Sequence, residues 1–466
     1  MTPARVVVAG GGVTGLTLAF TLQEEAARLH AAVDVTVIEA ATEAGGHAHT
    51  VVDGDWVIEA GPNGFLDREP ETMALVKELG LDAHLVAANP AARRRFVLRR
   101  GQLCQVPESP QALLASNAIS WRGKLRLLRE PWAQGPPAGS DETVFDFAER
   151  RLGREAAETF VDPAVSGISA GDSKSLSVRS QFPILKEWEE EHGSLLRAMF
   201  AQRRKASRAP GGVPAKGRAR LLSFDRGLGT LTGTLTSRLR NRMTIGNPIS
   251  DVDRHAGAWR VHLADGTTTP ADHVVFTTPA HRTSQMLRAL DRELSAHLAA
   301  IPYSGLAVVA LAYSAASLPR PLDGYGYLVT RAERLATLGV LWESSIFPGR
   351  APDDAVLLRV FLGGALRPDV LDLDEEALMA VARTELATVM GITARPIHHR
   401  VFRWPSAIAQ YTVGHEERVR EMRARLALHA GLHVCGTATD GVSFNHAIAS
   451  ARRSARALAA RLATPS

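Results

Sequence analysis

The sequence predicts an α/β fold built on a dinucleotide-binding unit that is discontinuous along the chain. A mixed α+β region and a mainly helical region are inserted between its parts. Three observations carry this expectation. A β-branched run near the N-terminus, VVV at Val6 to Val8, leads into clustered glycines and then a helical stretch. Near Thr244 the apolar period switches to two and ends in an apolar strand. Far along the chain, GLHVCGTATDGVSFNHAIASARRSARALAARL reads as a short strand, a turn and an Ala-rich helix.

The first element is a strand suited to burial on both faces, because three consecutive valines show no polar alternation. Gly10, Gly12 and Gly15 then fit G-x-G-x-x-G, with a helix expected from Leu16 to Leu29. In that fingerprint the first glycine permits a tight turn, the second lets a pyrophosphate approach backbone, and the third lets helix and strand pack closely. The helix N-terminus supplies free N–H groups and the positive end of the helix dipole. A secretory signal is the competing reading of this run, but each Gly costs about 1 kcal/mol in a helix interior relative to Ala. VDVTVIEA, Val33 to Ala40, is the second strand and ends on Glu39, an acid placed to accept hydrogen bonds from ribose hydroxyls. It falls about four residues later than the usual spacing of roughly 20. Next, TMALVKELGL gives an amphipathic helix closed by Gly80.

From Pro107 to Ala201 the pattern is mostly helical, broken by GPPAGSDE at Gly135 to Glu142; RAPGGVPAKGRA, Arg208 to Ala219, reads as a loop. AWRVHLADGTTTPADHVVFTTP turns Trp259, Val261 and Leu263 inward, reverses at Asp265-Gly266, and runs into a parallel-type strand at Val274 to Phe276. GLAVVALAYS and AVLLRVFLGG are strands of the mixed region. The expected boundaries are nucleotide-binding parts at 1–87, 219–282 and 427–466, a strand segment at 88–106, helices at 107–218, and the mixed region at 283–426.

With 466 residues the chain can hold two or three cores, and 45% hydrophobic with 22% charged residues is ordinary globular composition. No stretch reaches the ~18 consecutive apolar residues of a spanning helix. Cys104 and Cys435 are the only cysteines, so neither a disulfide framework nor a C-x-x-C metal site is available, and a reducing compartment is expected. Cys435, in LHVCG, reads as a buried thiol. A net charge of +5 over this length does not imply nucleic acid. His47 and His49 lack the partners of a closed metal site, so no metal is expected.

After Glu39, ATEAGGHAHT carries a second glycine pair, Gly45-Gly46, and VIEAGPNGFLDREP places Glu59-Ala60-Gly61-Pro62 after a short strand. Together these residues resemble the monoamine oxidase and phytoene desaturase superfamily of FAD enzymes. Within it, GPNGFLDREP, RRRFVLRRGQL, VPESPQALL, ETFVDPAVSGISAGDSKSLSV and GYGYLV, in this order over nearly the whole chain, resemble the protoporphyrinogen oxidase family. The segment Asp162 to Ser177 is the most specific of them. The resemblance implies a discontinuous Rossmann-like FAD-binding domain with an inserted mixed α+β substrate domain and a mainly helical domain. It also implies noncovalent FAD, held by Gly10, Gly12, Gly15, Glu39, Gly45, Gly46, His47, Gly61, Pro62, Gly436, Asp440, Gly441 and Val442. Two departures fall there: Thr437, Thr439 and Ser443 stand where the family has the Asn and Tyr of its C-terminal turn, and His47-Ala48-His49 replaces a bulkier apolar residue.

In that family protoporphyrinogen IX loses six electrons in three two-electron steps, and molecular oxygen reoxidises the flavin to give hydrogen peroxide. FAD carries the hydride chemistry, so no residue is assigned as general acid or base. The macrocycle needs an apolar slot and a cation at one edge. The family motif aligns its propionate-binding Arg with Arg95; read as a strand, RRRFVLRR puts Arg93 and Arg95 on one face. The competing reading is a solvated basic edge strand. By the same alignment Gly167 brings backbone to the macrocycle, and Leu328 and Trp342 form apolar walls, with ordinary core as the competing reading for the last two.

SWRGKLRLLREPW spaces Trp121, Leu125, Leu128 and Trp132 along one face with Arg122, Arg126 and Arg129 beside them. Such a helix either lies on a membrane surface or packs on its own domain with a solvated basic face. The family's habits imply a cytoplasmic protein, peripheral on the inner membrane, with handover to ferrochelatase and oligomerisation left open. Two other substrate readings stay open, coproporphyrinogen III with its four propionates and an amine or polyene. So does a non-enzymatic flavin- or heme-pathway interaction protein.

Overall fold

In the computed structural model, residues 2–136, 139–208 and 219–463 are described. The loop read at Arg208 to Ala219 lies almost entirely outside them. The chain forms two compact units, one from residues 1–87, 220–302 and 416–466, the other from 88–219 and 303–415.

The first unit is built on a five-stranded parallel sheet. Its strand order is Met243–Ile245, Val33–Glu39, Ala4–Ala9, His273–Phe276, Leu432–Val434, so strands from four distant stretches meet in one layer. Val6, Val7 and Val8 are buried in the middle of it, which is why the run shows no alternation. The first helix, Val13–Arg28, packs against the C-terminal helix, Phe444–Ala463, and both contribute to one core. Arg456 joins the two through Glu25 (3.1 Å), and the C-terminal helix also holds helix Pro70–Glu78, with Arg452 on Glu71 (2.7 Å) and Glu78 (2.6 Å) and Arg456 on Glu71 (2.6 Å). The meander Ile249–His255, Ala258–Leu263, Thr268–Ala271 is antiparallel, with Trp259, Val261 and Leu263 turned inward as their period predicts.

Residues 283–302 and 416–426 belong to this unit, not to the mixed region where the sequence boundaries put them. The reason is Asp291. One carboxylate oxygen caps helix Arg292–Ala299, and the other meets Arg425 Nε and His429 Nε2, both at 2.7 Å. Local periodicity carries no trace of such a pairing.

The second unit is organised by a seven-stranded mixed sheet, in the order His398–Ala409, Tyr303–Ser314, Ala355–Gly363, Thr337–Leu341, Gly326–Val329, Arg95–Arg99, Gln102–Gln105. The pair Gly326–Val329 and Arg95–Arg99 is parallel, and the rest are antiparallel. The predicted helical stretch packs within this unit. Among the described residues, no helix is long and apolar enough to cross a membrane.

Candidate functional site

In the first unit, the glycine turn sits at the carboxyl end of the parallel strands. Gly10 has φ +105°, a conformation that side-chain-bearing residues rarely adopt, and its N–H donates to Ile38 O at 2.8 Å. A Cβ on Gly15 would overlap Gly10 O, so the third glycine is required by helix–strand packing alone. Gly12 is different: a Cβ there would meet nothing nearer than Gly46 Cα at 4.0 Å. It is also the N-cap of the first helix, with no side chain capping that end. The second glycine pair lies directly alongside, with Gly45 N donating to Gly11 O at 2.8 Å and Gly12 bridging to Gly45. Backbone without side chains and an uncapped helix N-terminus are thus brought together, and such a surface suits a phosphate group.

The other predicted cofactor residues surround this cradle in distinct roles. Glu39 ends its strand beside the turn, where its carboxylate accepts Gly11 N (2.5 Å) and Ala41 N (2.8 Å). His47 is exposed, and its carbonyl packs so closely on Gly61 that no Cβ fits there. Pro62 follows, half-buried. Gly436 approaches the Thr14 side chain of the first helix, bringing the C-terminal turn to the glycine loop. Gly441 packs against His446, and Val442 is half-buried beside it.

Asp440 departs from the expected role. Its Oδ2 accepts Gly436 N (3.2 Å), Thr439 Oγ1 (2.8 Å) and Ser450 Oγ (2.9 Å), while Oδ1 meets Arg423 (3.0 Å). The carboxylate builds the turn. The departures at Thr439 and Ser443 have the same explanation: Thr439 bonds Asp440, and Ser443 Oγ accepts His446 N at 3.1 Å at the start of the C-terminal helix. Cys435 is fully buried, and burial pushes its thiol up to about 12.

Sequence reasoning passed over Asn63. It is 9% exposed, and its Nδ2 has no hydrogen-bond partner among the described residues. A buried amide without a partner costs about 1–3 kcal/mol, so a group meeting it on ligand binding relieves that cost. Its place immediately after Gly61-Pro62 was the available signal.

In the second unit, Arg95 opens strand Arg95–Arg99. Alternation puts Arg95, Val97 and Arg99 on one face and Phe96 and Leu98 on the other. The parallel register pairs Gly326 with Arg95 and Leu328 with Val97, so Leu328 shares the Arg95 face. Helix Asp162–Ser169 lies over that face, and a Cβ on its exposed Gly167 would overlap Leu328 Cδ2. Arg95 is exposed, with its guanidinium over the Tyr325 ring, 5.1 Å from the centroid. A cation, an apolar side chain and bare helix backbone therefore meet on one sheet face.

Two expectations fail here. Arg93 lies in a 3₁₀ turn, Pro90–Arg93, ahead of the strand, so it does not alternate with Arg95. Of the neighbouring arginines, Arg94 pairs with Asp323 (2.8 Å) and Arg99 with Glu155 (2.7 Å). Trp342 is 0% exposed, packed with Phe96 (ring centroids 5.5 Å apart), Leu98, Tyr327 and Val340 on the opposite face. It is core: just past the end of strand Thr337–Leu341, it caps the short helix Glu343–Ile346 and is buried in the same cluster as Val340 and Tyr327.

The basic amphipathic stretch forms helix Trp121–Leu128 and the 3₁₀ turn Glu130–Trp132. Trp121, Leu125, Leu128 and Trp132 are 63%, 51%, 63% and 75% exposed, so the apolar stripe does not pack on its own unit. Arg126 leaves the expected basic stripe and donates to Arg150 O (2.6 Å) and Arg151 O (3.3 Å). Below the stripe, buried Glu130 accepts Ser194 Oγ (2.5 Å) and Leu195 N (2.8 Å), fixing the turn that carries Trp132.

The parallel sheet, the glycine turn and the glycine pair seated beside it define a dinucleotide-binding enzyme of the flavoprotein kind. The model of the flavin containing amine oxidoreductase family matches residues 13–459, and the chain belongs to that family. It is an oxidoreductase that uses a flavin. Human protoporphyrinogen oxidase is 33% identical over 480 residues, covering 97% of each chain. Coproporphyrinogen III oxidase of Bacillus subtilis is 29% identical over 447 residues, covering 94% of each. A crystal structure from Exiguobacterium, carrying a provisional protoporphyrinogen oxidase assignment, superposes with a TM-score of 0.85 at 24% identity, covering 99% of this chain and 100% of that one.

Proposed function

We propose that this enzyme binds FAD noncovalently in the cradle of its first unit and oxidises protoporphyrinogen IX to protoporphyrin IX in heme biosynthesis. The flavin would supply hydride acceptance, and three molecules of oxygen would leave as three of hydrogen peroxide for the six electrons removed. Arg95 would hold a propionate, with an exposed planar donor pair suited to two parallel bonds. Leu328 and Gly167 would cover the macrocycle and exclude water from it. The observation that carries this reading is the meeting of Arg95, Leu328 and Gly167 on one sheet face, in a chain related along its length to protoporphyrinogen oxidases. The buried Cys435 thiol supports noncovalent binding, since a neutral core thiol is a poor nucleophile. The exposed Trp and Leu stripe, flanked by exposed Arg122 and Arg129, supports a peripheral contact with a lipid surface.

Oxidation of coproporphyrinogen III is the second reading, favoured by the relative from Bacillus subtilis and by exposed Arg93 close in sequence to Arg95. Under nitrogen, porphyrinogen should bleach the yellow protein, and in air the fluorescent porphyrin should form faster from the two-propionate substrate. Faster turnover of the four-propionate substrate would choose the second reading. A flavin that neither substrate bleaches would refute both. Flavin should separate from the chain on acid precipitation.

A further inference from the structure

The helix that carries Gly167 is held by a clamp that the proposed reaction does not itself explain. Asp162, its first residue, is 3% exposed. Arg331 grips it with two bonds, Nη2 to Oδ1 at 2.8 Å and Nε to Oδ2 at 3.1 Å, and the same Nη2 reaches Asp172 Oδ1 at 2.6 Å. Ser173 Oγ adds a bond to Asp162 Oδ1 at 2.5 Å. Asp162 opens the helix and Asp172 follows its end, so one guanidinium spans both limits of the element. Arg331 lies two residues beyond strand Gly326–Val329 and three beyond Leu328, the side chain that Gly167 faces. At the far end, Ser169 O accepts Gln410 Nε2 (2.9 Å) and Ser304 Oγ (3.1 Å). A π-helical turn, Ala157–Val161, immediately precedes the helix, and such turns concentrate at functional sites.

We propose that Arg331 is a positioning residue: it sets how closely the Gly167 helix lies on the Leu328 strand, and thereby the shape of the surface that the two together present to a flat apolar substrate. The inference rests on the reading that this face receives the porphyrinogen. Two carboxylates and a fixed planar fork make a rigid spacer, whereas an ammonium on a flexible stem would hold the charge without the geometry. A Cβ on Gly167 would meet the movable end of Leu328, so an alanine there fits only if that side chain or the clamped helix shifts.

The test is a double-mutant cycle on the holoenzyme with Arg331→Ala and Gly167→Ala, and with Arg331→Lys as the conservative variant. Arg331→Ala should raise KM about tenfold while kcat stays within about threefold and flavin per chain is unchanged. Arg331→Lys should fall between it and the parent enzyme. Gly167→Ala should raise KM about tenfold in the parent but less than about threefold in Arg331→Ala, because the released helix can back away. Equal Gly167→Ala penalties in both backgrounds, or a KM that ignores Arg331, would overturn the clamp. If Arg331→Ala does not fold, Arg331→Lys carries the same cycle, with a smaller but nonadditive effect required. A parent enzyme that turns over no porphyrinogen would remove the substrate reading and this role with it; turnover with additive effects removes the clamp alone.

Discussion

The glycine cradle of the first unit and the Arg95 face of the second are made of different materials. The cradle is backbone: Gly10, Gly12, Gly15, Gly45 and Gly46 present peptide groups, and the nearby side chains Glu39 and Asp440 are spent on shaping turns. The face is side chain: Arg95 lies over Tyr325, Leu328 is placed by the parallel pairing of its strand, and the helix bearing Gly167 is held by ion pairs from Arg331, far away in sequence. A backbone cradle recognises what many dinucleotides share, and it tolerates changes such as Thr439 and Ser443 because those side chains serve the turn. A side-chain face recognises one shape, and a single truncation should retune it.

The largest effect should come from breaking the cradle. Gly12→Val should fold and lose its flavin, because its side chain projects only toward Gly46, where the phosphates are expected. Gly15→Val should fail to fold, because its side chain meets the strand turn itself. Absorbance at the flavin band and a thermal melt separate the two outcomes. If Gly12→Val keeps normal flavin content, the backbone cradle is not the binding surface.

A smaller effect is expected on the face. Arg95→Ala should leave flavin content intact and lower kcat/KM roughly 10- to 150-fold, corresponding to a charge-assisted contact of about 1.5–3 kcal/mol. Arg95→Lys should recover part of the loss. A porphyrinogen ester, lacking free carboxylates, should be nearly indifferent to the substitution. Equal losses for acid and ester would make Arg95 a structural residue of its strand.

The smallest effect concerns the second unit's dependence on charge. Burial alone would raise the Glu189 carboxyl, but hydrogen bonds from Arg150, Lys186 and Arg151 override it and hold it down at about 2. A depressed carboxylate stabilises the fold above its unfolded value near 4.5, and that contribution disappears as pH falls toward 2. Glu189→Gln should therefore flatten the fall of the melting temperature between about pH 4.5 and 2 by at most one proton's worth of slope. An unchanged slope would mean that Glu189 titrates as it does in the unfolded chain.

Much of the first unit was legible in the sequence. Glycine spacing, a valine run and an acid at a strand end are local patterns; that Gly12 bridges to Gly45 came only from the fold. In the second unit the strands were legible too, and so was the stripe at Trp121, Leu125, Leu128 and Trp132. Whether that stripe faced protein or solvent was not. Trp342 shows why: its type and spacing suit a wall or a core equally, and only its burial among Phe96, Leu98, Tyr327 and Val340 decides for core.

The sequence by itself determined the α/β class, the glycine turn and the inward faces of the meander. These rest on backbone conformations and periods that neighbours in sequence impose on one another. The tertiary structure alone decided that Arg95 and Leu328 share a face with Gly167 lying over Leu328, and that Arg331 reaches Asp162 and Asp172. Those outcomes depend on which strand lies beside which and on ion pairs formed across more than a hundred residues, distances over which a local pattern exerts no force.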